Sequence, residues 1–193
     1  MDKQHNSGIA YFISPHGFGH AARASAVMAS LVNIDPSIHL HIFTTVPKWF
    51  FVDSLSANLE YHPLLTDIGL VQTSPFVADI PETERQLNQL LPYDPKVVYS
   101  AAQTLLEKGC RLVICDIAPL GIAVAEAMGV PSVLVENFTW DWIYEPYLAE
   151  YGDLHGPITY LRNIGHKKCI FSNPYIMTNF NFFIWNNIFI NIT

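Results

Sequence analysis

The strongest constraint on the fold is a glycine-rich stretch, SPHGFGHAAR, over residues 14–23. A short apolar segment over residues 9–13 precedes it, and small residues with helical spacing follow over residues 21–31. This order predicts a strand, a glycine loop and a helix. Glycines permit backbone angles that a side chain forbids, and the N–H groups at a helix start favour negative charge nearby. Such a loop lies at the carboxyl edge of a parallel sheet, where open α/β sheets bind ligands.

The residues after this helix continue the alternation of strands and helices. An apolar, β-branched segment over residues 38–43 predicts a second strand, which completes a crossover unit within about forty residues. A third strand is predicted over 61–65. A loop rich in proline and glycine follows, and such long loops on α/β sheets often carry function. A short helix is then predicted over 82–91.

The central part of the chain predicts a second compact unit of the same kind. Pro95 suits the first turn of a helix, and residues 111–115 predict a buried strand. A helix and a strand over 130–135 follow. We therefore predict a Rossmann-like α/β domain over residues 1–172, with a parallel sheet and helices on both faces.

The last 21 residues, 173–193, differ in composition from the rest of the chain. They consist almost entirely of Asn, Ile, Phe and Thr, lack charge, and show neither helical nor alternating periodicity. Scattered Asn residues disfavour a membrane span, because amides in lipid are costly. Two interpretations stay open: an irregular segment packed on the domain, or an out-of-frame tail that replaces the rest of a longer protein.

Charge and cysteine content exclude several classes of function. The net charge is −7 and the chain has no dense run of Lys or Arg, so we expect no nucleic-acid partner. Three cysteines without CxxC spacing indicate neither a disulfide framework nor a zinc site. The N-terminal apolar segment is too short for a signal peptide, so we expect a cytoplasmic protein.

His20 and Asp116 are the candidate catalytic pair. Both follow predicted strands, and a carboxylate on one ring nitrogen would fix the tautomer of a histidine and make it a general base. The alternative is structural: His20 fills the loop and Asp116 caps the next helix. His16 is interpreted as structural, and because a site at His16 and His20 lacks a third ligand, we predict no metal site.

Two segments carry a resemblance to a known family. HGFGHAAR and CDIAPLGIAVAEAMGVPSVLVENFTWDWIY resemble the N-terminal domain of GT-B glycosyltransferases. They are most similar to a glycosyltransferase-like group that includes the N-terminal half of plant arabinokinases, in which a GHGFGHATR loop and an NFSWDFIY-like segment occur. The likeness covers most of residues 8–172.

The resemblance implies a reaction and a set of site residues. A nucleotide sugar would be the co-substrate, with no further cofactor, and a small molecule or glycan would be the acceptor. His20 would deprotonate the acceptor hydroxyl, with Asp116 supporting it, and a nucleoside diphosphate would leave the anomeric carbon. The substrate-binding residues implied are Gly17, Phe18, Gly19, Asn137, Phe138, Trp140 and Asp141.

The chain departs from this family, and two other classes of function compete. GT-B enzymes have a second domain that binds the donor, so we expect this chain to need a separate donor-binding chain. No kinase phosphate loop occurs. Residues 17–22 also match G-x-G-x-x-A, a fingerprint of NAD- or FAD-binding oxidoreductases, although the second strand does not end in an acidic residue. The third possibility is a non-catalytic fragment or binding module.

Overall fold

A computed structural model describes residues 8–165 and the backbone of residues 169–172, 183–185 and 188–190. The strands are β1 (Gly8–Ile13), β2 (His39–Thr44), β3 (Leu59–Pro63), β4 (Gln72–Ser74), β5 (Val77–Ala78), β6 (Cys110–Asp116), β7 (Ser132–Val135), β8 (Cys169–Ser172), β9 (Phe183–Trp185) and β10 (Ile188–Ile190). The helices are α1 (Phe18–Ile34), α2 (Lys48–Ser54), α3 (Ile80–Leu90), α4 (Pro95–Glu107), α5 (Leu120–Met128), α6 (Trp140–Tyr144) and α7 (His155–Gly165). Short 3₁₀ turns cover Glu145–Tyr147 and Gly152–Leu154.

The main sheet has six strands in the order β3-β2-β1-β6-β7-β8. Every neighbouring pair in it is parallel. From β1 the chain moves outward through β2 to β3, then crosses to the other side of β1 and moves outward again from β6. The order therefore reverses between β1 and β6, and the carboxyl ends of these two strands form the switch point at which open α/β sheets bind ligands.

Helices cover both faces of this sheet, which confirms the predicted fold class. Successive side chains of a strand point to opposite faces. On β1, Ala10 and Phe12 join the core beneath α4, α5 and α7. Tyr11 and Ile13 join the core beneath α1 and α2. Because both faces are buried, β1 is apolar along its whole length rather than alternating.

The structure differs from the sequence-based expectations in three places. Helix α1 begins at Phe18, three residues earlier than the segment over 21–31, so His20 lies in its first turn. Strand β3 lies two residues before the predicted range, 61–65. The long loop contains an antiparallel hairpin, β4 and β5, that was not predicted, and most of its residues are exposed.

The C-terminal segment was predicted to lack regular structure. Strands β9 and β10 pair antiparallel within it. The other residues of 173–193 lie outside the described residues. Of the helices that the structure describes, none combines the length and the apolar character needed to cross a membrane.

Candidate functional site

The candidate site lies at the carboxyl ends of β1 and β6. Ile13 and Asp116 are paired in the parallel register, and each is the last residue of its strand. The N–H group of Ser14 donates to the backbone oxygen of Asp116 at 3.1 Å. The loops after the two strands therefore lie on one edge of one sheet, as the sequence predicted.

Gly17 turns the chain from the loop into α1. Its φ is +85°, in the region that side chains disfavour, and it occupies the N-cap position. A Cβ atom at Gly17 or at Gly19 would have no atom within 4 Å, so there is open space beside both glycines. Only Gly17 needs to be glycine for its backbone angle; Gly19 lies inside the first helical turn.

His20 contacts Asp116 through one nitrogen of its ring. The distance from Nδ1 to Oδ1 of Asp116 is 2.9 Å, and the Asp116 side chain is fully buried. An ionised carboxylate only accepts hydrogen bonds, so this contact places the proton of a neutral His20 ring on Nδ1. The lone pair is then on Nε2. The structure thus brings together the two residues that the sequence paired.

Arg23 is a third member of this cluster, which the sequence analysis did not identify. Its Nε donates to Oδ2 of Asp116 at 2.8 Å and its Nη2 donates to Oδ1 at 2.6 Å. Hydrogen bonding to Asp116 raises the pKa of Arg23. The spacing offered a signal, because Arg23 follows His20 by three residues and shares its helix face. Asp116 therefore binds a permanent cation in addition to the histidine.

The buried carboxyl group of Asp67 holds the start of the glycine loop through Ser14. Oδ1 of Asp67 accepts a hydrogen bond from the Ser14 hydroxyl at 2.9 Å. The Thr66 hydroxyl donates to the backbone oxygen of Ile13 at 2.8 Å, and its oxygen lies 3.3 Å from Oδ2 of Asp67. Thr66 has one hydroxyl proton, so a protonated Asp67 completes this network. Burial raises the pKa of Asp67 to about 7, in agreement with this arrangement.

Aromatic rings from the segment after β7 pack beside the loop. The Phe138 ring lies 6.2 Å from the His20 ring, in an edge-on orientation. Trp140 is only 3% exposed and packs edge-on against His16 at 5.3 Å. Trp140 is therefore mostly packed in the core under the loop, and it also lines a pocket beside Asp141. Burial lowers the pKa of His16, and its packing agrees with a structural role.

Three further predicted residues fall on one open groove of about 580 Å³. It is lined by Asn137, Phe138 and Asp141, together with Glu136 and Arg162. The groove adjoins His20 through Phe138, and through the hydrogen bond of 3.3 Å from Arg23 to the Asn137 side chain.

The remaining polar groups give the groove an acidic wall. The Asp141 carboxylate accepts from Nε of Arg162 at 3.2 Å. Burial, and then the charge of Asp141, raise the pKa of Glu136 to about 7. No sequence signal other than its position directly after β7 pointed to Glu136.

Phe18 is not among the residues that line this groove. It is 53% exposed and stacks on Phe50 at 5.3 Å, with Trp49 at 6.2 Å. The structure thus brings Asn137, Phe138 and the glycine loop to His20, and places Phe18 in a separate exposed aromatic cluster.

Comparisons with known proteins find relatives that are much longer than this chain. No protein-family model matches the chain. It is 27% identical over 165 residues to L-arabinokinase of Arabidopsis thaliana, an alignment that covers 84% of this chain and 16% of that protein. Solved structures of Arabidopsis thaliana UGT89C1 with quercetin and with UDP align with TM-scores of 0.54 and 0.50, each at 10% identity.

These two structure alignments cover 89% of this chain but only 44% and 46% of the UGT89C1 chains. The chain therefore spans less than half the length of the relatives that it matches. Its parallel sheet with helices on both faces is the fold of the part of UGT89C1 that it covers. The chain has the α/β fold of the N-terminal domain of a GT-B glycosyltransferase and is similar in sequence to L-arabinokinase.

Proposed function

We propose that this chain is the acceptor-binding half of a glycosyltransferase and that His20 is its general base. The observation that carries the proposal is the contact of 2.9 Å between Nδ1 of His20 and the buried Asp116 carboxylate. In the neutral ring this contact leaves the lone pair on Nε2, at the sheet edge where α/β folds bind ligands. The His20 side chain is 13% exposed, so its ring reaches the surface, whereas the Asp116 carboxylate does not.

In the proposed reaction, Nε2 of His20 removes the proton from an acceptor hydroxyl. The acceptor oxygen then forms a bond to the anomeric carbon of a nucleotide sugar, and the bond to the nucleoside diphosphate breaks with its electron pair on the diphosphate. Asp116 stabilises the imidazolium through the Nδ1–H bond and is a positioning residue. Arg23 holds the Asp116 carboxylate in place through its two hydrogen bonds.

The groove beside His20 suits a small acceptor with several hydroxyl groups. Phe138 offers an aromatic ring, and Asn137 and Asp141 offer hydrogen-bond acceptors at its wall. The UGT89C1 structures support this class of ligand, because they contain quercetin, a polyhydroxylated compound, and UDP. Which hydroxyl compound this chain accepts depends on the shape of the loops at the groove.

The proposal places the donor-binding half outside the residues that form this domain. We expect the purified 193-residue chain to transfer no sugar efficiently from UDP-sugars, and efficient transfer would contradict this. The intact mass of the native product, detected through a peptide from before residue 172, locates the second half. A mass well above 21.7 kDa places it on the same polypeptide, and a mass of 21.7 kDa indicates a partner chain.

The role of His20 is tested by restoring a donor half. We would fuse residues 1–172 to the part of UGT89C1 that the chain does not cover, and assay transfer from UDP-sugars to a panel of polyhydroxylated acceptors. His20→Ala should lower kcat by on the order of 10²–10⁴, because the proton transfer is lost. The matched control is His155→Ala, since His155 is exposed at the start of α7. An unchanged kcat in His20→Ala would exclude the general-base role.

A second measurement needs no fusion. The ¹⁵N NMR spectrum of the neutral His20 ring should show the proton on Nδ1 in the unmodified chain, and Asp116→Ala should abolish this preference. A binding module without catalytic function would keep acceptor binding in His20→Ala and would show no transfer in the fusion.

A further inference from the structure

A second cluster of ionisable side chains lies away from the candidate site, on β2 and the edge strand β3. His39 and His41 are separated by one residue on β2, so both side chains point to the same face of the sheet. Glu60 is the direct neighbour of His41 in the parallel register between the strands. Two histidines and a carboxylate therefore meet on one face, and the glycosyltransferase proposal makes no use of them.

The distances in this cluster are those of a group of metal ligands. One ligand atom each from His39, His41 and Glu60 lie within 4.8 Å of one another. The distance from Nδ1 of His41 to the Glu60 carboxylate is 3.8 Å. Zinc–nitrogen bonds of about 2.0–2.1 Å place tetrahedral ligand atoms about 3.3 Å apart, so small rotations of these side chains would close the site.

We propose that His39, His41 and Glu60 bind a divalent transition metal, with Zn²⁺ as the ion best matched to two imidazoles and one carboxylate. Three protein ligands leave one tetrahedral position for water or for a fourth side chain. His62 is placed for that position, because its Nε2 lies 3.2 Å from Nδ1 of His41 and 4.0 Å from the Glu60 carboxylate.

The protonation of the cluster is compatible with a metal ion. Burial, and then the charge of His39, lower the pKa of His41 to about 4, and burial lowers the pKa of His62. Both shifts favour the neutral imidazole, which is the form that binds metals.

Lys108 is the cation that now neutralises the cluster. Its Nζ lies 2.9 Å from Oε2 of Glu60, and this contact lowers the pKa of the Glu60 carboxyl group. A metal ion would take the carboxylate from Lys108, which is half exposed and can turn into solvent. Metal binding and the Lys108 contact therefore compete. Removing the Lys108 amine should for this reason strengthen metal binding.

The test is titration of the purified chain with Co²⁺, a spectroscopic substitute for Zn²⁺, followed by competition with Zn²⁺. We expect one Co²⁺ per chain with the strong visible absorption of a tetrahedral site, displaced by one equivalent of Zn²⁺. His39→Gln should weaken binding by 100-fold or more, since loss of even an indirect partner costs about 10–100-fold. Lys108→Met should strengthen it, because Glu60 is released.

The variants also separate a site from damage to the fold. His41→Gln alters a fully buried residue. Its metal affinity is interpreted only if its circular dichroism spectrum and melting curve match those of the parent. His39→Gln and Lys108→Met alter residues at the surface and give changes of opposite sign, which a loss of folding cannot produce. His155→Gln is the matched exposed histidine and should bind as the parent does.

Three results would overturn the proposal. The first is the absence of tetrahedral Co²⁺ absorption at one equivalent. The second is weak binding that His39→Gln leaves unchanged, which indicates adventitious surface binding. The third is weaker binding in Lys108→Met. In each case the contact of 3.2 Å between His41 and His62 would be a simple hydrogen bond that joins β2 to the sheet edge.

Discussion

Arg23 changes what Asp116 can do for His20. The guanidinium binds both oxygens of the carboxylate, while the histidine shares only one of them. The negative charge of Asp116 is thus already compensated before a substrate binds. We infer that Asp116 mainly fixes the orientation and tautomer of His20.

Removing Arg23 should therefore destabilise the protein more than removing an arginine from an exposed surface ion pair. In Arg23→Met the fully buried Asp116 carboxylate keeps only the His20 contact, and the loss of a buried partner costs about 3 kcal/mol. Urea unfolding at pH 7 measures this difference. Arg85→Met is the control, because its ion pair with Glu82 lies on an exposed helix surface and should contribute little. Equal effects of the two substitutions would contradict the structural role of Arg23.

At the scale of elements, the two glycines at the start of α1 have different roles. The sequence predicted a glycine loop followed by a helix, but it treated Gly17 and Gly19 alike. The structure separates them: Gly17 has a φ of +85°, whereas Gly19 has ordinary helical geometry with open space beside it. The difference arises because α1 begins at Phe18, which no periodicity in the loop revealed.

Substitution with alanine tests this distinction. Gly17→Ala should destabilise the domain by about 1–3 kcal/mol, because a φ of +85° with a ψ of 160° is a backbone conformation essentially restricted to glycine. Gly19→Ala should leave stability unchanged or raise it by up to about 1 kcal/mol, because alanine favours helices. Thermal unfolding of the two variants provides the comparison. If Gly19→Ala also lowers acceptor affinity in the fusion protein, a ligand approaches the backbone there, as the family resemblance implies.

Elements with strong periodicity or clear end signals were predictable. Pro95 marks the start of α4, and Gly129 marks the end of α5 with its left-handed backbone. The exact bounds of β3 and the existence of the hairpin of β4 and β5 were not, because their residues are half-buried or exposed and carry no clear alternation. The cluster on β2 and β3 was missed for the same reason, since it depends on the register of Glu60 beside His41.

At the scale of the whole molecule, two acids with raised pKa values make stability depend on pH. The folded-state pKa of Asp67 is about 7, against an ordinary value of 3.8. Between these values the folded protein holds a proton that the unfolded chain has lost. The contribution of Asp67 to stability should therefore fall as the pH rises from about 4 to 7 and level off above it. Glu136, whose pKa is also about 7, adds a slope of the same sign.

Asp67→Asn isolates the contribution of Asp67. The amide can accept from Ser14 and donate to Thr66, as the protonated acid does, but it does not ionise. Between pH 5 and pH 8 the parent protein should lose on the order of 2 kcal/mol more stability than the variant. Urea midpoints at the two pH values give this difference. Identical losses in both proteins would mean that Asp67 is ionised throughout.

The order of the strands in the sheet cannot be predicted from local sequence patterns. The sequence predicted that the loops after β1 and β6 share an edge, because both strands read as parallel and buried. It did not predict that β6 pairs directly with β1, and therefore did not reveal Arg23 as the residue that links the two loops to Asn137. Contacts of this kind depend on the order of strands, which only the complete fold determines.

The hydrogen bonds at the candidate site span large separations in sequence. They join residues 93, 96 and 114 positions apart, so every one of them depends on strands from both halves of the domain. The site therefore cannot form in a partly folded chain, and its appearance coincides with completion of the sheet. By linkage, any acceptor that binds there must shift the global unfolding equilibrium, by about 2.7 kcal/mol at 100 times its Kd. A rise in Tm across a library of hydroxylated compounds is thus a direct search for the acceptor, and it needs neither donor nor turnover.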